Sequence, residues 1–169
     1  MTVESTGQHF SADRGPAVVG RPILVVLAAL ALGSGLKHLL PLPAVVPGSG
    51  AVHWTSAAIG AGLLLAGLAL AISGIGNLSR AGTAVPTNRP ASALVVTGIH
   101  GWTRNPVYLG FLLLCAGIGL LVRDAWMLII MAPLAIYLRY GVVAREETYL
   151  EQRFGDAYGD YRSHVGRWI

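Results

Sequence analysis

Charge is what this 169-residue chain has least of. Asp, Glu, Lys and Arg make up 12% of it and hydrophobic residues 54%, against about 25% charged in a typical soluble domain. With a mean hydropathy of +0.61, that scarcity excludes an ordinary solvated surface and points to lipid. The formal charge is +4, but the basic residues sit singly at segment ends and form no run or stripe, so no nucleic acid is expected as partner. There is one cysteine, Cys115, in an apolar run, which excludes a disulfide framework and a cysteine metal site. His9, His38, His53, His100 and His164 show no ligand spacing, so no metal is expected. The first twenty residues hold Glu4, Asp13 and Arg14 and no apolar stretch of signal-peptide type. Residues 1–20 are expected to be a disordered cytosolic tail.

What is present is long apolar runs. A bilayer core of about 30 Å takes about twenty helical residues, because backbone groups in lipid must bond within their own segment. Four stretches qualify: about Pro22 to Leu40, Trp54 to Gly76, Pro106 to Val122 and Ala125 to Val143. The first ends at the turn signals Pro41-Leu-Pro43 and Pro47-Gly-Ser-Gly50. In the second, Ala58, Gly62 and Ala66 form a small-residue stripe that reads as a packing seam. The third and fourth are separated only by Arg123-Asp124 and read as a tight helical hairpin. Between the second and third lies a long, structured polar loop, Asn77 to Thr103, with Gly82 and Gly98 as breakers. After the fourth, Leu150, Phe154, Tyr158 and Tyr161 fall at helical spacings in a charged tail from Arg145 to Ile169. That tail is expected to be amphipathic and to lie on the membrane surface or cap the bundle.

The expected fold is therefore an all-α polytopic membrane protein with four transmembrane helices, a C-terminal helical hairpin and an amphipathic tail. It divides into the cytosolic tail 1–20, two N-terminal transmembrane helices over 21–76, and a loop, hairpin and tail over 77–169. Lys/Arg bias sets the orientation. With both termini cytoplasmic, Arg14, Arg21, Arg80, Arg89, Arg104, Arg145, Arg153, Arg162 and Arg167 fall inside, and only Lys37 and Arg123 outside. The polar loop and the tail then share one face of the membrane.

Two constellations on that face can carry chemistry. Arg104-Asn105-Pro106 stands where the third span begins, and a helix N-terminus with unpaired amides favours an anion such as a carboxylate. An interfacial Arg anchor beside a Trp/Tyr belt is the plainer alternative. Glu146-Glu147 stands at the exit of the fourth span, where the leaflet is already negative, so the pair needs cationic partners. Salt bridges to Arg80, Arg104 or Arg139 would supply them, or one carboxylate would receive a cationic ligand group.

Taken in order, Leu94-Val95-x-x-Gly98, Arg104-Asn-Pro106-x-Tyr108-x-Gly110, Glu146-Glu147-x-x-Leu150 and Phe154-Gly155-x-x-Tyr158-x-x-Tyr161-x-x-x-Val165 resemble the isoprenylcysteine carboxyl methyltransferases and their phospholipid methyltransferase relatives. The resemblance covers roughly residues 92 to 166. It implies an S-adenosylmethionine pocket without a Rossmann sheet, contacted by Leu94, Val95, His100, Arg104, Asn105, Pro106, Tyr108, Glu146 and Glu147. This sequence departs from the commonest family form at Asn105, where His is usual, and at His100, where Tyr is usual. Val142 stands where an Arg for a substrate carboxylate is expected, leaving Arg139, a further turn back on nearly the same face, as the substitute for contacting substrate. No residue type at these spacings identifies a catalytic group. The activity implied is methyl transfer to a lipophilic or small nucleophile, a carboxylate, thiol or amine, reached from the bilayer. A membrane reductase of sterol-reductase-like architecture and a non-enzymatic membrane scaffold are the alternatives.

Overall fold

The computed structural model describes residues 15–45, 49–83 and 89–169. The expected disordered tail thus falls largely on residues 1–14, outside the described residues, as does part of the turn at Pro47. All regular structure among the described residues is helical: α1 (Pro22–Leu39), α2 (Ala51–Arg80), a 3₁₀ turn (Gly98–Gly101), α3 (Pro106–Leu121), α4 (Ala125–Ile136), a π-helical segment (Tyr137–Val143), α5 (Ala144–Phe154) and α6 (Asp156–His164). α1, α2 and the continuous rod Ala125–Phe154 are long and apolar enough to cross a membrane, and α3 is a shorter apolar helix of 16 residues. The protein is a polytopic α-helical membrane protein.

Local chemistry explains the element ends. Pro22 and Pro106 occupy first helical positions, where a missing N–H costs nothing. Arg123 takes a left-handed φ of 53° and Asp124 Oδ1 accepts from Trp126 N at 2.9 Å, which turns α3 into α4 within three residues. At the same end, Lys37 Nζ donates to Val122 O at 3.4 Å and Trp126 Nε1 donates to Leu40 O at 2.7 Å, tying α1 to the hairpin.

Three expectations need correction. α2 extends beyond Trp54–Gly76 at both ends, because Asn77 to Arg80 are polar without being helix breakers; the break comes at Gly82, with φ 66°. The small-residue seam is not Ala58, Gly62 and Ala66, which are exposed, with nothing within 4 Å of a Cβ built on Gly62. The buried seam is Gly60, Gly67 and Gly74. A Cβ on Gly67 would lie 2.6 Å from the Gly110 carbonyl oxygen, and one on Gly117 would lie 2.7 Å from that of Gly60. Helices lying side by side meet along a seven-residue repeat, whereas a four-residue stripe drifts around the helix.

The third correction concerns the tail, whose first part does not leave the bundle at Arg145. The helix runs on through the π segment to Phe154 and stops at Gly155, φ 52°. A change from apolar to charged side chains alters what surrounds a helix without breaking its backbone. The N-terminal segment is bound along it: Val19 N donates to the Gly141 backbone carbonyl at 3.2 Å, and the side chains of Tyr137 and Arg145 donate to Val19 O and, at 2.9 Å, to Ala17 O. Beyond Gly155, α6 folds back as a cap, with Tyr158 and Tyr161 buried. The core joins α1, α3 and the rod through Val26, Tyr108, Cys115, Leu134, Leu138, Val142 and Val143.

Candidate functional site

The polar ends of these elements enclose a mostly apolar cavity of about 700 Å³. Its walls come from the start of α1, the end of α2, the loop before α3, the first turns of α3, α5 and α6. Leu94, Val95, His100, Arg104, Asn105, Pro106, Tyr108, Glu146 and Glu147 all line it, although they are spread over more than fifty residues of sequence. The loop is held in place from both sides. Thr83 Oγ1 accepts from Ser92 N at 3.0 Å, the buried Tyr149 hydroxyl accepts from Ala91 N at 3.0 Å, and Asn77 Nδ2 donates to Thr97 O at 2.9 Å.

The two adjacent glutamates have different partners. Glu146 Oε1 accepts from the Tyr108 hydroxyl at 2.6 Å, and Glu146 makes no ion pair among the described residues. Glu147, 8% exposed, lies between two guanidinium groups: Arg104 Nη1 at 3.2 Å, and Arg167 through Nε at 3.0 Å and Nη2 at 2.6 Å. Arg104 Nη1 also donates to the Tyr158 hydroxyl at 3.2 Å. The Arg104–Glu147–Arg167 cluster carries one net positive charge, and the Glu146 carboxyl stands beside it without an ion-pair partner among the described residues. The bidentate carboxylate raises the Arg167 guanidinium further above its ordinary value.

Two buried nitrogens of residues on this wall have no partner among the described residues, His100 Nδ1 and Arg104 Nε. Buried polar atoms are rarely left unmatched. His100 is 6% exposed, and burial pushes its imidazole below the usual value, so the neutral ring is favoured. Its carbonyl accepts from the Tyr161 hydroxyl at 2.6 Å, and burial pushes Tyr161 up to about 12.

Some expectations of contact are redirected. Asn105 lines the cavity, but its amide Nδ2 donates to Arg167 O at 3.1 Å, so that donor is spent inside the protein. Arg139 is not at the site: it is exposed, with its guanidinium 5.4 Å from the Tyr140 ring centre. Its expected alignment with Glu146 assumed uninterrupted α-helical phase. A π turn inserts a residue, which shifts that phase by about 100°. The partners of Glu147 are Arg104 and Arg167, not Arg80 or Arg139. Sequence reasoning missed Arg167 altogether. Tyr158 and Tyr161 were legible as a helical face but not as parts of the cavity wall. Among the described residues, no three His, Cys, Asp or Glu side chains are grouped as a metal site.

The model of one protein family, described as phospholipid methyltransferase, matches residues 55–157, more than half of the chain. The chain belongs to the phospholipid methyltransferase family. That family falls within the isoprenylcysteine carboxyl methyltransferase-like superfamily. A curated relative, an uncharacterized protein of Haemophilus influenzae, is 59% identical over 27 residues, which are 16% of this chain. The match spans 43% of that relative's length. No solved structure matches the chain. The matched stretch contains the loop, Arg104, Tyr108 and both glutamates.

Proposed function

We propose that the cavity binds S-adenosylmethionine and that the protein transfers its methyl group to a lipophilic or small nucleophile. The observation that carries this reading is the split charge of the wall. A zwitterionic amino-acid group needs an anion and a cation side by side, and Glu146 without a cation stands next to a cluster with one surplus positive charge. Arg104 and His100 line the same wall and add polar side chains to it. Leu94, Val95, Pro106 and Tyr108 supply an apolar wall of the kind that purine rings occupy.

Bound there, S-adenosylmethionine supplies an activated methyl group on a sulfonium centre. The residues of this chain bind, orient and exclude water. Glu146 offers its carboxylate to the ligand's ammonium, held in place by the Tyr108 hydroxyl. Arg104 offers charge to the ligand's carboxylate, held by Glu147 and Tyr158. The acceptor reaches the cavity from the bilayer side, where Ile23, Ile75 and Phe111 form apolar walls. Arg139 is not used for it, because its side chain points away from the cavity.

We also propose that the cavity end faces the cytoplasm. Arg21, Arg80, Arg89, Arg104 and Arg145 belong to the helix ends on that side, and Lys37 and Arg123 to the opposite side. In a Cys115→Ser background, thiol reagents added outside should label a cysteine at Ser49 and not one at Ser163. For the activity, labelled S-adenosylmethionine is titrated into the purified, detergent-solubilised protein. Saturable binding, competed by S-adenosylhomocysteine and not by NADPH, is expected. NADPH binding alone would point to a reductase, and binding of neither would leave a scaffold.

A further inference from the structure

The family match ends at residue 157, yet the polar cluster on the cavity wall is completed by residues beyond it. After α6 the chain leaves the helix at Val165, φ −118° and ψ 128°, and lies against the loop that precedes α3. Three hydrogen bonds fasten it there. Arg104 N donates to Gly166 O at 3.0 Å, Asn105 Nδ2 to Arg167 O at 3.1 Å, and Thr103 Oγ1 to Arg167 O at 3.3 Å. Trp168 packs against the hydrophobic core. From that strap the Arg167 side chain reaches back to Glu147 with two hydrogen bonds.

The arithmetic of charge gives this contact a consequence. Arg104 and Glu147 alone would cancel, and a ligand carboxylate beside them would meet a neutral pair. Arg167 adds the surplus positive charge, engaging both Glu147 oxygens while Arg104 Nη1 shares Oε1 with it. We propose that Arg167 is a positioning residue for the donor site: the C-terminal strap holds Glu147 between two guanidinium groups, so that the cluster containing Arg104 stays net positive toward the carboxylate of the ligand's amino-acid portion. This rests on the reading of the cavity as the donor site, and the test separates the two. The strap is part of the site, although the family match stops short of it.

The experiment compares two probes in the full-length protein: S-adenosylhomocysteine, which carries the amino-acid group, and 5′-methylthioadenosine, which lacks it. Titrations are run on wild type, Arg167→Ala, Arg167→Lys and the Arg167→Ala/Glu147→Gln double variant, with thermal unfolding in parallel. Arg167→Ala should weaken S-adenosylhomocysteine about tenfold, the effect of one charge-assisted contact, and leave methylthioadenosine within twofold. Lysine should recover most of the loss because it restores the charge. The double variant should be no weaker than Arg167→Ala alone, since both changes act through one cluster. Equal loss for both probes would reveal a merely structural strap and overturn the proposal, as would unchanged binding of both. If wild type binds neither probe, the donor-site reading itself fails, and the proposal with it.

Discussion

The Tyr108 hydroxyl donates to Glu146 Oε1 at 2.6 Å, joining the first turn of α3 to the start of α5 across 38 residues of sequence. This contact sets a carboxylate on the cavity wall without giving it a cation. Glu146→Gln keeps size and one acceptor and removes the charge. The expected outcome is a folded, monodisperse protein that binds S-adenosylmethionine roughly ten- to a hundredfold more weakly, about 1.5–3 kcal/mol. Tyr108→Phe removes only the support and should cost less than Glu146→Gln. Calorimetric titration of both variants checks the order, and equal affinities across wild type and both would remove Glu146 from the site.

Glu147 should behave differently from its neighbour. It is buried between two arginines, so Glu147→Gln leaves two guanidinium groups facing each other with their counter-charge gone. Breaking a buried ion cluster costs on the order of 3 kcal/mol, and the unfolding temperature should drop clearly more than in Glu146→Gln. Arg104→Ala should lose both stability and donor binding, because its guanidinium pairs with Glu147 and lines the cavity. Arg139→Ala, outside the cavity over Tyr140, should change neither by a measurable amount. Donor binding lost in Arg139→Ala and kept in Arg104→Ala would refute the assignment.

These contrasts mark what sequence could and could not reveal. Prolines at helix starts and the breaker Gly82 are local signals, and helix ends are found at Pro22, Pro106 and beside Gly82, whereas the stop at Gly155 fell inside a stretch read as one helical face. The gathering of Arg104, Tyr108 and the glutamates at one end followed from topology, since alternate helix ends return to the same side. The π segment carries no such signal. Its wide turn depends on bonds to Val19 and on packing by α1, far away in sequence, so the phase of Arg139 was misjudged. Arg167 was illegible for a similar reason: it follows the break at Val165, and nothing local shows that the strap turns back over Arg104. The choice between two possible small-residue seams on α2 also needed the partner helix, because each pattern is compatible with close approach.

His100 gives a pH dependence whose direction is fixed. Unfolded, the imidazole takes a proton near its ordinary value of 6.5, and burial lowers that value in the folded protein. Below about pH 6.5 the unfolded chain therefore binds a proton that the folded chain resists, and stability falls as pH drops toward the folded value. Above that window the group contributes no slope. His100→Gln removes the titration, so the difference in unfolding temperature between wild type and variant should shift in favour of the variant on going from pH 7.5 to 5.5. Thermal unfolding in detergent at four or five pH values checks this, and parallel curves would show that His100 is not buried as described.

The glycine seam links packing to the site. At Gly67 a Cβ would lie 2.6 Å from the Gly110 carbonyl oxygen and 2.8 Å from Leu114 N, both backbone atoms that no rotamer change can move. Gly67→Ala must therefore push α3 away from α2, at an overpacking cost of about 1–3 kcal/mol. Because α3 begins at Pro106 and carries Tyr108, that displacement reaches the hydroxyl that supports Glu146. Gly67→Ala should accordingly lower the unfolding temperature and weaken donor binding together. Gly62→Ala has open space around it, and alanine is the better helix former by about 1 kcal/mol, so that variant should unfold no earlier than wild type and bind equally well. Measuring both variants by thermal unfolding and donor titration decides between the two seams: damage from Gly62→Ala with Gly67→Ala tolerated would place the α2–α3 contact on the other face of the helix.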